Sequence, residues 1–310
     1  MNRRDFILNT GKAGLLLAAA GIPWSKSLAS NADFGKLTIL HTNDTHSRID
    51  PFPSDHPLYS NSGGVLNRLK LLKNIRSEVE HHLLFDAGDI FQGTPYFNLF
   101  KGEIEMKSMT ALAYDAATIG NHDFDAGVDG LAKQLKHADF PMVNCNYRLE
   151  DTTLSSKTKE YEIFERDGLR IGVTGVGIEL EGLVGPDYFR GVLVESAVDH
   201  VNRVAGHLKR ERNCHLVVVL SHLGYAYQHN KISDVSLAPL TEHVDVIIGG
   251  HTHTFLKRPV VLKNRKKEPV LVNQVGWGGL VLGRLDLSFE RNTKKICYYC
   301  KNEYVSLPVS

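Results

Sequence analysis

Three features of the sequence predict an α/β protein built on mixed sheets, with helices over their outer faces. From residue 36 to residue 253, apolar β-rich runs alternate with amphipathic helical stretches. Beyond residue 259 the alternation gives way to β-rich runs joined by charged turns, which read as an antiparallel meander added to the parallel strands. The apolar runs also end in Asp, Asn and His, and α/β sheets build their sites at such strand ends.

Residues 1–29 stand apart from the fold. "MNRRDFILNTGKAGLLLAAAGIPWSKSLA" carries Arg3-Arg4 ahead of an apolar run and finishes in Ser27-Leu28-Ala29, a small-x-small cleavage pattern. It resembles a twin-arginine export signal, and its run, broken by Gly21 and Pro23, is too short to span a bilayer. Cleavage after Ala29 is expected, with residues 30–310 forming one extracytoplasmic or periplasmic domain.

"KLTILHT" (36–42) reads as a buried strand, and "PFPSDHPLYSNSGG" (51–64), dense in Pro, Ser, Asn and Gly, as a loop on one rim. "VLNRLKLLKNIRSEVE" has apolar residues at 65, 66, 69, 71, 72 and 75, a helical stripe with charges opposite. "HHLLFDAGD" (81–89) follows as strand and loop, then helix "EIEMKSMTALAY" (103–114), a helix at 128–137 and strand "FPMVNCNY" (140–147). "YEIFERDGLRIGVTGVGI" (161–178) is a hairpin around Asp167-Gly168, the dipeptide suited to a type I′ turn. Helix "ESAVDHVNRVAGHLKRE" (195–211), strand "HLVVVLSHLG" (215–224), helix "SLAPLTEH" (236–243) and strand "VDVIIGGHTH" (244–253) complete the alternation. "KNRKK" (263–267) reads as a solvated turn between two strands.

The chain has 310 residues, 42% hydrophobic and 23% charged, with a net charge of +1. That balance offers no electrostatic reason to bind a nucleic-acid polymer or an anionic membrane, and no run long enough for an integral membrane span. Cys145, Cys214, Cys297 and Cys300 are too few and too scattered for a disulfide framework. In a strand, positions 297 and 300 point to opposite faces, so "CYYC" reads as packing rather than a bridge.

Five strand ends carry the chemistry. "KLTILHT" runs into Asp44 and His46, "HHLLFD" into Asp89, and "AATIG" into Asn121, His122 and Asp125. "HLVVVLS" runs into His222, and "VDVIIGG" into His251 and His253. Asp and His without thiolate suit Zn, Mn or Fe. So many donors exceed the needs of one tetrahedral ion and suit a pair sharing a carboxylate. Two divalent ions a few ångströms apart can activate a hydroxide and clamp a phosphoryl centre. Gly88, Gly120, Gly249 and Gly250 are expected to let backbone approach the ions and to adopt positive φ where needed.

"ILHTNDTHS", "DAGD", "IGNHDFD", "SHLG" and "IIGGHTHT" together resemble the signature segments of the calcineurin-like metallophosphoesterases, most closely the catalytic domain of the 5′-nucleotidase (UshA-like) branch, over residues 35–290. The resemblance implies a four-layer α/β/β/α sandwich with two mixed sheets. It implies that Asp44, His46 and His253 hold one ion, that Asn121, His222 and His251 hold the other, and that Asp89 bridges them. It makes His122 the group that protonates or stabilises the leaving oxygen and Asp125 the group that orients it. An imidazole beside such a site with a carboxylate nearby reads independently as an acid pair.

The remaining polar residues have plainer readings. His41, three residues before Asp44, falls on the opposite face if the strand persists and is left out of the site. Asp86 and Asp123 read as acceptors that orient imidazoles and backbone, and His81, His82, His137, His207 and His229 as solvated surface. The resemblance also implies a small phosphorylated substrate, a nucleotide above all. Relatives that act as 5′-nucleotidases carry a second, C-terminal domain that holds the nucleoside, and the motifs here end before residue 290. Nucleotide selectivity is therefore expected from a separate nucleotide-binding chain or from a pocket in loop 47–64. Phosphodiesterase action, including on 2′,3′-cyclic nucleotides, thiosulfate-ester hydrolysis and a non-catalytic phospholigand scaffold are the alternatives.

Overall fold

The computed structural model describes residues 34–290 and 296–306. The export signal expected over residues 1–29 lies outside the described residues.

The strands and helices follow in chain order. They are β1 (Phe34–Thr42), α1 (Val65–Glu78), β2 (His82–Asp86), α2 (Pro95–Phe100), α3 (Glu103–Ala111), β3 (Ala116–Ala117) and α4 (Gly127–Gln134). Next come β4 (Met142–Val143), β5 (Tyr147–Arg148), β6 (Thr158–Lys159), β7 (Tyr161–Arg166), β8 (Leu169–Val176), β9 (Leu193–Val194) and α5 (Ala197–Arg210). The last are β10 (Leu216–Ser221), α6 (Asp234–Leu237), β11 (Val246–Gly249), β12 (Val260–Lys263), β13 (Pro269–Asn273), β14 (Val281–Glu290), β15 (Ile296–Cys300) and β16 (Glu303–Tyr304).

Two mixed sheets organise them. The first runs β15-β14-β1-β2-β3-β4-β6, parallel from β1 to β6, with β14 antiparallel to β1 and β16 beside β14. The second runs β12-β13-β11-β10-β8-β7, parallel from β8 through β13 and antiparallel at both edges. Side-chain alternation divides the core into three slabs. Leu37, Ile39, Leu83 and Phe85 meet Ile171, Val173, Val218 and Ile248 between the sheets. Leu40 and Leu84, on the other face, pack under α1, α3 and α4 with Leu72, Met106 and Leu131. Val217, Val219 and Ile247 pack under α5 with Val201, Val204 and Leu208. Helix, sheet, sheet, helix is the expected four-layer order.

Local chemistry explains the boundaries that matter. Asp167 and Gly168 both take positive φ, 48° and 68°, so the β7–β8 hairpin closes as a type I′ turn. Ser196 caps α5 by accepting from Asp199 N at 3.3 Å. The stretch from 259 onward is not one meander. β12 and β13 form a hairpin on the second sheet, whereas β14 and β15 belong to the first. The glycine-rich crossing at 276–279, every glycine of it at positive φ, carries the chain from one sheet to the other. "FPMVNCNY" is two short strands, and β5 pairs with β9 in a sheet of their own. The helix expected at 236–243 starts at Asp234, capped by Ser233, and closes as a 3-10 turn over Ala238–Leu240. Helix α2, entered through Pro95, was not expected from the periodicity.

All four cysteines are free. Cys145 and Cys214 are buried, as packing predicts, but Cys297 is exposed on the edge strand. Packing does not account for it.

Candidate metal centre

The C-terminal ends of β1, β2, β3, β10 and β11 come together on one rim, because parallel strands in both sheets point the same way. There the seven expected donors meet. Asp44, His46 and His253 present atoms within 4.8 Å of one another, and so do Asp89, His222 and His251. Asp89 Oδ2 stands 3.2 Å from His222 Nε2 and 3.8 Å from His46 Nε2, so one carboxylate faces both groups. Asn121 Oδ1 joins the second group 2.8 Å from His251 Nδ1.

The turns that aim these side chains are strained. Asp44, His46, Asp89, His251 and His253 all have positive φ, between 48° and 72°. That conformation is uncommon for non-glycine residues, though Asp and His take it more readily than most, and it concentrates at functional sites. Positive φ thus falls on the donors themselves as well as on a neighbouring glycine. Of Gly88, Gly120, Gly249 and Gly250, only Gly88 has positive φ. Gly120 serves close approach instead: a Cβ there would collide with Asp89 Oδ1 and Asp89 N.

Hydrogen bonds hold the strained turns. Asp123, fully buried, accepts from the backbone N–H of Asp89, Ile90, Phe91 and Gly120. Asp86 accepts from Thr42 Oγ1 and Gly88 N. Both act on backbone and hydroxyl groups, not on imidazoles. Asp44 accepts from His251 N at 2.9 Å and from Asn43 Nδ2 at 2.6 Å, tying the first strand end to the last.

Electrostatics favour ligand-ready imidazoles. Burial, with His222 adding to it, lowers His251 to about 3, and burial with His46 lowers His253 to about 4. His46 is lowered chiefly by burial too. His222 goes the other way: burial pulls it down, but the carboxylates of Asp89 and Asp44 carry it up to about 10. Asp89 is correspondingly depressed, burial being outweighed by His222, while burial raises Asp44. The carboxylates thus favour the protonated form of His222, and burial favours that of Asp44.

The donor set fits divalent cations. His46 Nε2 faces His253 Nε2 at 3.0 Å, and the buried His222 Nε2 faces Asp89 Oδ2 at 3.2 Å. Nitrogens and oxygens that converge with too few hydrogens to share are matched by a cation of the Zn, Mn or Fe class.

Comparison with known proteins agrees. The calcineurin-like phosphoesterase family model matches residues 37–255. The chain belongs to that family. A snake venom 5′-nucleotidase from Crotalus adamanteus is 33% identical over 252 residues, covering 78% of this chain and 41% of the venom protein. The 5′-nucleotidase of Homo sapiens is 32% identical, covering 90% of this chain and 50% of its own length. The crystal structure of a 5′-nucleotidase precursor from Thermus thermophilus superposes with a TM-score of 0.77 at 31% identity, over 87% of this chain and 54% of that one. The chain thus spans about half the length of the relatives it matches.

In this calcineurin-like phosphoesterase, a cavity of about 300 Å³ opens above the first triad, lined by His46, Arg48, Gln92, Gly93, His122, His253 and Trp277. His122 stands at its edge, ring 5.4 Å from that of His46, with Nδ1 2.9 Å from Asp125 Oδ2. That hydrogen bond is the main cause of a raised His122 pKa.

Arg48, Gln92 and Trp277 were missed in the sequence. Trp277 stacks on His253 at 5.7 Å and 13° between planes, and the following Gly278 N donates to Asp44 O at 2.7 Å. "GWGG" follows the end of β13, so the strand-end rule that found the other donors extends to it. Phe52 and Tyr59 of loop 47–64 pack behind Trp277, and Arg48 alone of that loop lines the cavity.

The histidines outside the site divide differently from expectation. His41 is fully buried, with Nε2 2.9 Å from Asn273 Nδ2, away from both triads. His81, His82, His137 and His207 are half-buried with polar partners: Arg76 Nε donates to His82, and the Tyr161 hydroxyl bonds His207. His229 is exposed, as expected. No helix among the described residues is long and apolar enough to cross a membrane.

Proposed function

We propose that this chain is a metal-dependent phosphoric ester hydrolase acting on phosphate monoesters, 5′-nucleotides foremost. The observation that carries the proposal is the pair of donor triads turned toward one carboxylate, Asp89, beside a cavity edged by the His122–Asp125 pair. Asp44, His46 and His253 would hold one ion, and Asn121, His222 and His251 the other, with Asp89 between them. Divalent ions there supply Lewis acidity toward phosphoryl oxygens and a nucleophile at neutral pH.

The chain's own residues do the rest. Asp125 binds His122 Nδ1 and so leaves Nε2 as the nitrogen that delivers a proton to the leaving oxygen. That hydrogen bond raises the His122 pKa and so favours the protonated form that the donor needs. Trp277 braces His253 from the side, and the buried acceptors Asp86 and Asp123 hold the turn on which Asp89 sits. Relatives named as 5′-nucleotidases support the substrate class. We also infer export by the twin-arginine route, from Arg3-Arg4 and the pattern ending at Ala29. A mature N-terminus still at Met1 in exported protein would refute it.

Phosphate release from 5′-AMP, an aryl phosphate monoester and an aryl diester, by metal-loaded wild type and His122→Ala, tests the reading. Preference for AMP, with turnover about 10²–10⁴ lower in the variant at unchanged metal content, is expected. Faster diester cleavage would make the chain a phosphodiesterase. Equally feeble rates on every ester would assign nucleotide selectivity to a separate nucleotide-binding chain. Function that survives His122→Ala would sink the hydrolase reading in favour of a phospholigand scaffold.

A further inference from the structure

Arg48 lies two residues past His46 and lines the cavity with His46, His122, His253 and Trp277. Its guanidinium carbon lies 4.1 Å from the centre of the Phe52 ring, and Phe52 meets Trp277 edge-on at 5.5 Å. Stacking of this kind fixes the guanidinium plane while leaving its N–H groups unused. Arg48 Nε is buried with no hydrogen-bond partner. Arg166 pairs with Asp115 at 3.1 Å and Arg284 with Asp286 at 3.0 Å, while Arg68 and Arg76, which have no salt-bridged carboxylate among the described residues, donate to the Tyr114 hydroxyl and to the Leu112 and Ala113 carbonyls. The acid nearest to Arg48 in sequence, Asp50, instead accepts the Tyr96 hydroxyl at 2.8 Å.

Asp50 acts on Arg48 only from beyond salt-bridge distance, so this partly desolvated cation with an unpartnered Nε gains from an anion beside it. The cavity it faces is the one above the first triad. We propose that Arg48 is an anion-binding residue of this site, its guanidinium donating to a non-bridging oxygen of a phosphoryl group. Phosphate monoester and inorganic phosphate present that same group, so either would be held. Arginine suits the task because its planar fork can give two parallel N–H bonds to phosphate oxygens, which a lysine cannot. The inference rests on the phosphoesterase reading and adds a substrate contact to it.

The test uses the full-length, metal-loaded protein with inorganic phosphate as probe. Labelling by an arginine-selective dicarbonyl is mapped by mass spectrometry with and without phosphate, with the exposed Arg190 as internal reference. Phosphate affinity by calorimetry, and KM on an aryl phosphate, are then compared for wild type, Arg48→Ala and Arg48→Lys. Phosphate should protect Arg48 and not Arg190. Arg48→Ala should weaken phosphate binding and raise KM by about 10- to 100-fold at unchanged metal content, with Arg48→Lys recovering only part. Should Arg48→Ala fail to fold, the labelling of wild type decides alone. Labelling of Arg48 indifferent to phosphate, or a phosphate affinity in Arg48→Ala within about twofold of wild type, overturns the assignment. Protection without turnover of any ester keeps the assignment and refutes the hydrolase; turnover with KM unmoved by Arg48→Ala does the reverse.

Discussion

Asp123→Asn exchanges one carboxylate oxygen for an amide and leaves the volume unchanged. In the native fold Oδ1 accepts from Ile90 N at 2.9 Å and Phe91 N at 3.1 Å, and Oδ2 from Gly120 N at 2.7 Å and Asp89 N at 3.1 Å. Whichever way the new amide turns, its NH₂ faces two backbone donors. Two buried N–H groups lose their acceptor, at about 1–3 kcal/mol each, or about 2–6 kcal/mol together. In a domain of this size that lowers the melting temperature by about 2 °C per kcal/mol, hence by about 4–12 °C. One of the two pairs of donors includes Asp89 N and the other lies on the turn it begins, so the Asp89 carboxylate shifts as well. Metal affinity should then weaken by about 10- to 100-fold. Calorimetric unfolding of the metal-free protein and a metal titration measure the two effects. Asp129→Asn, a more accessible acid that bonds the Thr153 hydroxyl, is the control and should stay within about 0.5 kcal/mol of wild type. An Asp123→Asn protein as stable as that control, with unaltered metal affinity, would refute the view that this carboxylate holds the Asp89 turn.

Two further outcomes follow from the charges of the site. His222, carried up to about 10 by Asp89 and Asp44 against the pull of burial, is protonated at neutral pH in the metal-free protein, so loading ions should expel its proton. Calorimetry in buffers of different ionisation enthalpy would show it, and metal uptake without proton release would contradict it. Because that folded pKa is raised above 6.5, its stabilising contribution to the metal-free protein is full below about pH 6.5 and lost as pH rises toward about 10. Asp125→Asn removes the main cause of the raised His122 pKa. The basic limb of the kcat–pH profile should move to lower pH while metal content holds; an unmoved limb would mean that His122 is not the proton donor.

The site was legible in the sequence because it obeys a rule of order. Parallel strands ending in Asp44, Asp89, Asn121, His222 and His251 must deliver those residues to one rim, whatever the details of packing. The Asp167-Gly168 hairpin and the stripe of α5 were legible for similar local reasons: a two-residue turn that needs positive φ, and apolar residues recurring at helical spacing. Short elements such as β4 and β5 were overdrawn, since apolar runs alone do not say where pairing partners stop.

What the sequence by itself determined is the alternation that makes two sheets, the chemistry of the strand ends and the family they belong to. Only the tertiary structure decided how the last strands divide, with β13 against β11 and β14 against β1, because partners across a sandwich are chosen by burial and not by adjacency. It alone placed the strain on Asp44, His46, Asp89, His251 and His253, a property of backbone closure that composition does not encode. It also brought Trp277 from beyond β13 and Arg48 from beyond β1 onto one wall beside His253, across more than two hundred residues of chain that only the packing of the two sheets closes.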